Sequence, residues 1–342
     1  MSATDLVVFF GGTSSERKVS VASAQHLNTI LPEASLWYWS PDGRVFSVNA
    51  QELSAHKNPY DADFVPNDAK LIADGVDGAL DQGRDKVFYL ALHGGLGENG
   101  WLQQRLEQRK IAFTGSSADA SALAMDKSKS KDAVSLRGVL MAKQLLFRPS
   151  DSGVEQDLRD FQSAIGDIVI KPASDGSSSG LAFMSKAEEC KRWFDSNQSS
   201  RDFWLAEERI HGRELTVGVI MHHGCLMVLP PSEVVLERHA HFDYQAKYHG
   251  VGNKEITPAE LTLAESAAAQ SVAILAHSAI GCFGYTRTDM IMTPNGLYYL
   301  ETNTLPGMTR ASFIPQQLRA AGIDLRAFVE GQISLAKRRY EK

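Results

Sequence analysis

The residues whose types and spacing most directly suggest chemistry lie near the end of the chain, in Tyr285–Asn303. This segment reads as a β-hairpin turning at Pro294-Asn295-Gly296. With a three-residue loop and Gly296 at positive φ forming a bulge, Asp289 faces Glu301 and Arg287 faces Asn303. Two-residue alternation then puts all four on one face with Ile291 and Tyr299. Directly opposed carboxylates repel in a structural hairpin, and a divalent cation between them reverses the sign. Asp, Glu and Asn oxygens on one rigid face suit Mg²⁺, which keeps waters and takes phosphate oxygens. A two-residue turn would break this pairing, and a solvated face with unrelated acids is the competing reading.

Three glycine-rich stretches follow strand-like runs. Ala173–Gly180 (ASDGSSSG) comes after Asp167–Lys171, and small residues let backbone N–H groups approach a phosphate. Lys171 ends that strand within reach of an α- or β-phosphate. The loop is not a Walker A sequence, since GxxxxGK[ST] is absent from the chain. Gly95–Gly100 matches GxGxxG, but the next strand ends in Thr114-Gly115-Ser116, without the acid that dinucleotide binding needs. His93 and Glu98 stand at that strand's C-terminal edge, where α/β sites lie. Gly11–Glu16 closes the first strand, where the Glu16 carboxylate can hold an amine or simply open a helix. His222-His223 and His239-Ala240-His241 have no third ligand spaced to join them.

The elements needed to position these groups alternate. Leu6–Phe10 reads as a strand and Lys18–Ile30 as a helix, followed by strands at Val87–Leu92 and Ile111–Phe113, with a helix beginning at Trp101. A small parallel sheet is expected over about the first 115 residues. A long helix-compatible stretch runs from Ala118 to Leu140 and contains the charged run Asp126–Lys131. A helix at Val154–Ala164 precedes the strand 167–171, and strands follow at Phe203–Glu207, Glu214–Ile220 and Cys225–Leu229. Glu237–Pro258 has the polar, aperiodic character of a long functional loop. Helices are expected at Ala259–Ile280, Ile314–Ala321 and Leu325–Lys337.

Composition narrows the function classes. The 342 residues are 43% hydrophobic and 22% charged, which excludes disorder as the main state. A net charge of −6 argues against nucleic acid and anionic lipid as partners. Anionic ligands must therefore meet local positive clusters. Three scattered cysteines, read as buried small residues, fit a reducing compartment. No apolar run spans a bilayer and the opening residues lack the basic segment of a signal peptide, so a cytoplasmic, non-membrane protein is expected.

Seven segments in order carry a family resemblance: FFGGTSSERKVSVAS (Phe9–Ser23), LHGGLGENG (Leu92–Gly100), SALAMDKSKSK (Ser121–Lys131), VIKPASDGSSSG (Val169–Gly180), AEERIHGRELTV (Ala206–Val217), FDYQAKY (Phe242–Tyr248), and GYTRTDMIM with YLETNTLPGMTRAS (Gly284–Ser312). Together they resemble the D-alanine–D-alanine ligase family of the ATP-grasp superfamily.

That resemblance implies an α/β fold, α+β in part, with three domains. These are an N-terminal parallel α/β substrate-binding domain (1–115), a central ATP-grasp domain (116–206) and a C-terminal ATP-grasp domain (207–342) with a lid at 237–258. It implies ATP-driven joining of two D-alanines through an acyl phosphate, making a peptidoglycan precursor for cell-wall biogenesis and cell shape. It further implies two Mg²⁺ ions, replaceable by Mn²⁺, and a homodimer. Lys127 and Lys171 would contact ATP phosphates, Glu207 and Ile210 the adenine, and Glu214 the ribose. Asp289, Glu301 and Asn303 would hold the metal. Arg287 and the Gly307 N–H would stabilise the oxyanion and the transferring phosphate. Glu16 would bind the first ammonium, completed by Ser177 and Tyr248. Lys247 would neutralise phosphate, Ser312 would receive the second carboxylate, and His93 would lie at the substrate site.

Tyr248 favours an amine acceptor, and D-serine as second substrate fits the same mechanism. Three positions depart from the family pattern: Asn99 replaces the usual Asp, Arg209 replaces an often aromatic hinge residue, and Arg310 is bulkier and more basic than usual. A non-catalytic nucleotide-binding protein and a dinucleotide oxidoreductase are the rival classes.

Overall fold

The computed structural model describes residues 5–174, 180–236 and 253–340, which form three sheets. The first has the order β4-β3-β2-β1-β5-β6. Its strands are β1 (Leu6–Gly11), β2 (Ser35–Trp39), β3 (Val45–Val48), β4 (Lys70–Ala73), β5 (Val87–Leu90) and β6 (Ala112–Phe113). Every residue of β1 is buried, as expected of a central strand covered on both faces. Val8 and Phe10 pack on one side, Val7 and Phe9 on the other. β2, β1, β5 and β6 run parallel. β3 and β4 add antiparallel strands at one edge, so the sheet is mixed, not simply parallel.

Two features tie this sheet to the rest of the chain. The helix Leu325–Tyr340 packs Phe328 and Ile333 into the core around Val8 and Tyr89. Tyr285, Ile314 and Leu318 of the C-terminal part join the same core. The first sheet is therefore set against the third by shared apolar burial, and what projects from the edges of both meets in a fixed relation.

Ala118–Met125 and Lys127–Ser135 are separate helices and not one long one. Asp126 is non-helical between them, and its side chain accepts from Lys129 N at 3.0 Å. This N-cap starts a new axis and aims Lys127 and Lys131 the same way, four residues apart. Both helices contact β17 (Gly296–Asn303) and the helix Leu263–Ile280, and β7 (Leu140–Met141) extends the third sheet beside β17.

The second sheet has the order β10-β9-β11-β8. It comprises β8 (Gln144–Phe147), β9 (Ile168–Pro172), β10 (Ala182–Met184) and β11 (Trp204–Glu208), all antiparallel. Helices Val154–Ile165 and Ala187–Asn197 close its core over Ile168, Ile170 and Ala206.

The third sheet runs β15-β14-β12-β16-β17-β7, with β13 paired to β12. It holds β12 (Arg213–His222), β13 (Cys225–Val228), β14 (Ser232–Leu236), β15 (Asn253–Ile256), β16 (Tyr285–Thr293) and β17 (Gly296–Asn303). The hairpin corrects the expected register. Thr293 pairs with Gly296, so the turn is the two residues Pro294 and Asn295, although Gly296 does have positive φ. Ile291 consequently faces Tyr298, not Tyr299. A bulge at Leu300 then shifts the ladder by one residue and restores Asp289 opposite Glu301 and Arg287 opposite Asn303. Tyr299 turns to the other face, fully buried beneath Ala276 and Ile280.

Two smaller expectations also change. Of the cysteines only Cys190 is buried; Cys225 is exposed on β13 and Cys282 is intermediate. His239, His241 and most of the expected lid lie outside the described residues. Among the described residues no helix is long and apolar enough to cross a membrane.

Candidate active site

The polar face of β16 and β17 is the centre of the site. Arg287 forms a two-pronged pair with Asp289, Nε to Oδ1 at 2.9 Å and Nη2 to Oδ2 at 2.8 Å. Thr216, opposite Asp289 on β12, donates to Oδ1 at 2.5 Å, and Asn303 Nδ2 donates to Oδ2 at 3.3 Å. Asp289 is 9% exposed. A buried carboxylate without such partners would be strongly destabilising. Glu301, across the ladder, pairs with Lys127 at 3.7 Å. The donors available to a cation here are two carboxylates and the Asn303 amide oxygen, a hard, all-oxygen set suited to magnesium.

On one side of this face lies a cleft between the second and third sheets. It is lined by Lys171, Phe183, Glu207, Ile210, Glu214 and Ile291, with Leu300 beside Ile291. The bulge brings Leu300 to this side. Apolar walls with a few polar groups suit a planar heterocycle. Arg209 lies over the Phe183 ring at 4.8 Å, so the position read as an unusual hinge residue closes one end by cation–π contact. Deep in the cleft Glu207 is 2% exposed and pairs with both Lys131 and Lys171. Burial drives the Lys131 ammonium well below the ordinary lysine range, and the nearby charges of Lys171 and Lys127 push the same way. Lys131 was not among the expected site residues. Its signal was the four-residue spacing from Lys127, which puts both on one helix face.

On the other side lies a cleft between the first sheet's loops and residues 303–313. Arg287, Asn303, Glu16, His93, Gly307 and Ser312 all line it. Glu16 precedes the helix Arg17–Ile30, and its position depends on Gly94: a Cβ there would come within 2.4 Å of Glu16 Oε2. His93 is held at both nitrogens. Nδ1 donates to the Leu305 carbonyl at 2.8 Å, and Nε2 accepts from Ser23 Oγ at 2.9 Å. Burial holds its pKa below the ordinary histidine value, so the ring is neutral at pH 7.

Glu98 is a clamp across the same junction. Oε1 accepts from the backbone N–H of Thr304 at 3.0 Å and of Leu305 at 2.9 Å, and Oε2 accepts from Gly94 N–H at 3.0 Å. Burial raises its carboxyl pKa, and these hydrogen bonds work against the rise. Of the glycines in Gly95–Gly100, Gly100 serves a close backbone approach: a Cβ there would come within 2.4 Å of the Ala118 carbonyl oxygen. Asn99 accepts from Trp101 N–H at 3.1 Å within this turn.

Gly307 sits against Ser312, whose Oγ a Cβ at 307 would approach within 2.6 Å. Ser312 precedes the helix Phe313–Ala320, and its Oγ accepts from Thr309 N–H at 3.1 Å. Tyr60 and Glu255 also line it and were not named as site residues, although Glu255 falls within Glu237–Pro258, the stretch read as a functional loop. Arg310 is exposed and is not among the lining residues.

The structure thus brings together Glu16, His93, Arg287, Asn303, Gly307 and Ser312 in one cleft, and Lys171, Glu207, Ile210 and Glu214 in the other, with Asp289, Glu301 and Lys127 at their junction. Ser177, Lys247 and Tyr248 lie outside the described residues.

Three sheets, with one polar strand face set between a cleft of the second and third sheets and a second polar cleft, make an ATP-grasp architecture. The model of the D-ala D-ala ligase N-terminus matches residues 5–116, and that of the D-ala D-ala ligase C-terminus matches 146–334. The chain belongs to the D-alanine–D-alanine ligase family, whose members are ATP-dependent enzymes acting on small molecules. A D-alanine–D-alanine ligase of Syntrophobacter fumaroxidans is 37% identical over 75% of this chain and 82% of its own length. That of Saccharophagus degradans is 34% identical over 94% and 91%. The crystal structure of the VanG D-Ala:D-Ser ligase of Enterococcus faecalis superposes with a TM-score of 0.79 at 25% identity, covering 97% of this chain and 99% of that one.

Proposed function

We propose that this chain joins two D-alanines to D-alanyl-D-alanine, converting ATP to ADP and phosphate, for peptidoglycan precursor synthesis in the cytoplasm. The observation that carries the reading is that one strand face serves both clefts: Arg287 and Asn303 line the amino-acid cleft, while Ile291 and Leu300 of the same hairpin line the nucleotide cleft. A phosphoryl group passing between two ligands must be held where both can reach it.

ATP lies with its base toward Ile210 and Glu207, its ribose at Glu214, and its phosphates at Lys127 and Lys171. Lys131 contributes by holding Glu207. Asp289, Glu301 and Asn303 would hold two magnesium ions, with manganese as a substitute; bound there, the metal neutralises phosphate charge. The first D-alanine places its ammonium at Glu16, and its carboxylate attacks the γ-phosphate to give an acyl phosphate. The second D-alanine places its carboxylate at Ser312, its amine attacks the acyl carbon, and phosphate leaves. Arg287 and the Gly307 N–H stabilise the negative charge that develops on oxygen, the role in which preorganised donors contribute most. Neutral His93 positions the loop that carries Gly307. Ser177 and Tyr248 would complete the contacts around Glu16, Lys247 would neutralise the phosphate, and the lid expected at 237–258, which ends in the paired strand β15, would keep water from the intermediate.

The division into domains 1–115, 116–206 and 207–342 and a homodimeric assembly belong to this proposal; sedimentation tests the latter. The test of the reaction is phosphate release from ATP against a panel of D-amino and D-hydroxy acids. D-alanine alone should support turnover. Turnover only when D-serine is added would favour the second reading, a D-Ala:D-Ser ligase, for which the 25% identical VanG enzyme is the precedent.

A further inference from the structure

Three carboxylates line the amino-acid cleft: Glu16, Glu98 and Glu255. Glu98 is spoken for by backbone N–H groups on both oxygens. Glu255, on β15, is half-buried and differs in its partners. Gln316 Nε2 donates to its Oε2 at 2.7 Å, and among the described residues Oε1 accepts no hydrogen bond. Gln316 is itself fixed, since Nε2 also donates to the Ala311 carbonyl at 2.7 Å and its Oε1 accepts from Thr257 at 3.0 Å. One oxygen is thus anchored and the other is free to take a donor in the cleft. Burial raises the Glu255 pKa, while the Gln316 bond and the Arg287 charge lower it. The other titratable groups around this cleft are Tyr60 from the first domain's loop, Glu16 and His93.

The reaction supplies a donor. Each amino acid enters as an ammonium, and the ligase reading, on which this inference rests, gives the first to Glu16. The second must be bound and must also lose a proton before nitrogen can attack. We infer that Glu255 receives the ammonium of the second amino acid and takes one proton from it. The freed lone pair forms the N–C bond at the acyl carbon and the C–O bond to phosphate breaks. The second nitrogen proton goes to the departing phosphate, and Glu255 returns its proton to water on product release. A carboxylate with a raised pKa is better matched to this transfer than an ordinary one.

The test uses Glu255→Gln, which keeps an acceptor for Gln316 and removes the charge. Two nucleophiles are compared on the full-length enzyme with ATP and D-alanine: a second D-alanine, and hydroxylamine, which is uncharged at neutral pH and traps the acyl phosphate as a hydroxamate. The variant should form hydroxamate within about threefold of the wild-type rate, while kcat/KM for the accepting D-alanine falls about 10²-fold. Its residual dipeptide rate should rise about tenfold per pH unit as free amine increases, more steeply than wild type. Equal losses with both nucleophiles, or no loss with either, would overturn the inference. A wild-type enzyme that gives no hydroxamate overturns the ligase reading itself, and this assignment with it.

Discussion

The two clefts that meet at β16 and β17 are built by different physics. In the amino-acid cleft two buried polar groups are neutral or saturated: His93 is bonded at both ring nitrogens, and Glu98 holds three backbone N–H groups. The frame of this cleft is fixed by apolar packing between the first and third sheets. The nucleotide cleft instead holds charges against charges, with Lys131 and Lys171 on Glu207. Hydrogen bonds to backbone cannot be exchanged without moving the chain, whereas side-chain ion pairs can reorganise around an arriving phosphate. The contrast matches ligand chemistry. A small amino acid must be aimed to within a fraction of an ångström, and a polyphosphate must be neutralised.

Removing charge at the junction of the clefts should have the largest effect. Glu301→Gln should lower kcat about 10³-fold with unchanged thermal stability, as expected for a group that acts on transition-state charge; a stability loss without a rate loss would assign Glu301 to structure. Glu98→Ala tests the saturated frame. It strands three buried N–H groups and should cost about 3 kcal/mol in urea unfolding, where an equally deep cut on the other side, Lys131→Met, should chiefly raise the KM for ATP.

Acid should also discriminate between frame and charge. His277, bonded to Thr286 beneath the third sheet, has its pKa lowered to about 4 by burial. Folding therefore favours its neutral form. Its effect is absent above about 6.5, where both states are neutral, and stability falls as pH drops from there to about 4. The loss should be of order 3 kcal/mol, and His277→Asn should flatten the dependence of Tm on pH across that window. His93 contributes with the same sign.

Gly94→Ala should have the smallest effect. The added methyl meets Glu16 Oε2, and Gly94 has φ of +64°, so the KM for the first D-alanine should rise about tenfold. Nucleotide affinity, measured by titration, should stay as it was.

Legibility differed between elements for physical reasons. The strands β1, β5 and β12 announce themselves by buried runs, because central strands need apolar residues on both faces. The break at Asp126 was hidden because every residue from Ala118 to Ser135 is acceptable in a helix; only the N-cap geometry reveals two axes. The hairpin is instructive in another way. The facing pairs Asp289–Glu301 and Arg287–Asn303 were expected from a three-residue loop, and they occur through a two-residue turn and a bulge. Two one-residue changes of register cancel at the site, yet they send Tyr299 into the core and Leu300 into the cleft.

The sequence by itself determined the chemistry available: which carboxylates, lysines and glycines exist, and that their order matches one family. Only the tertiary structure decided which of them are used up. Glu98 and Glu255 are the same residue type in the same cleft, but one is saturated by backbone groups that include two 206 and 207 residues away, and the other keeps an oxygen free. That distinction depends on long-range packing, because hydrogen-bond saturation is a property of three-dimensional neighbours and leaves no trace in local spacing.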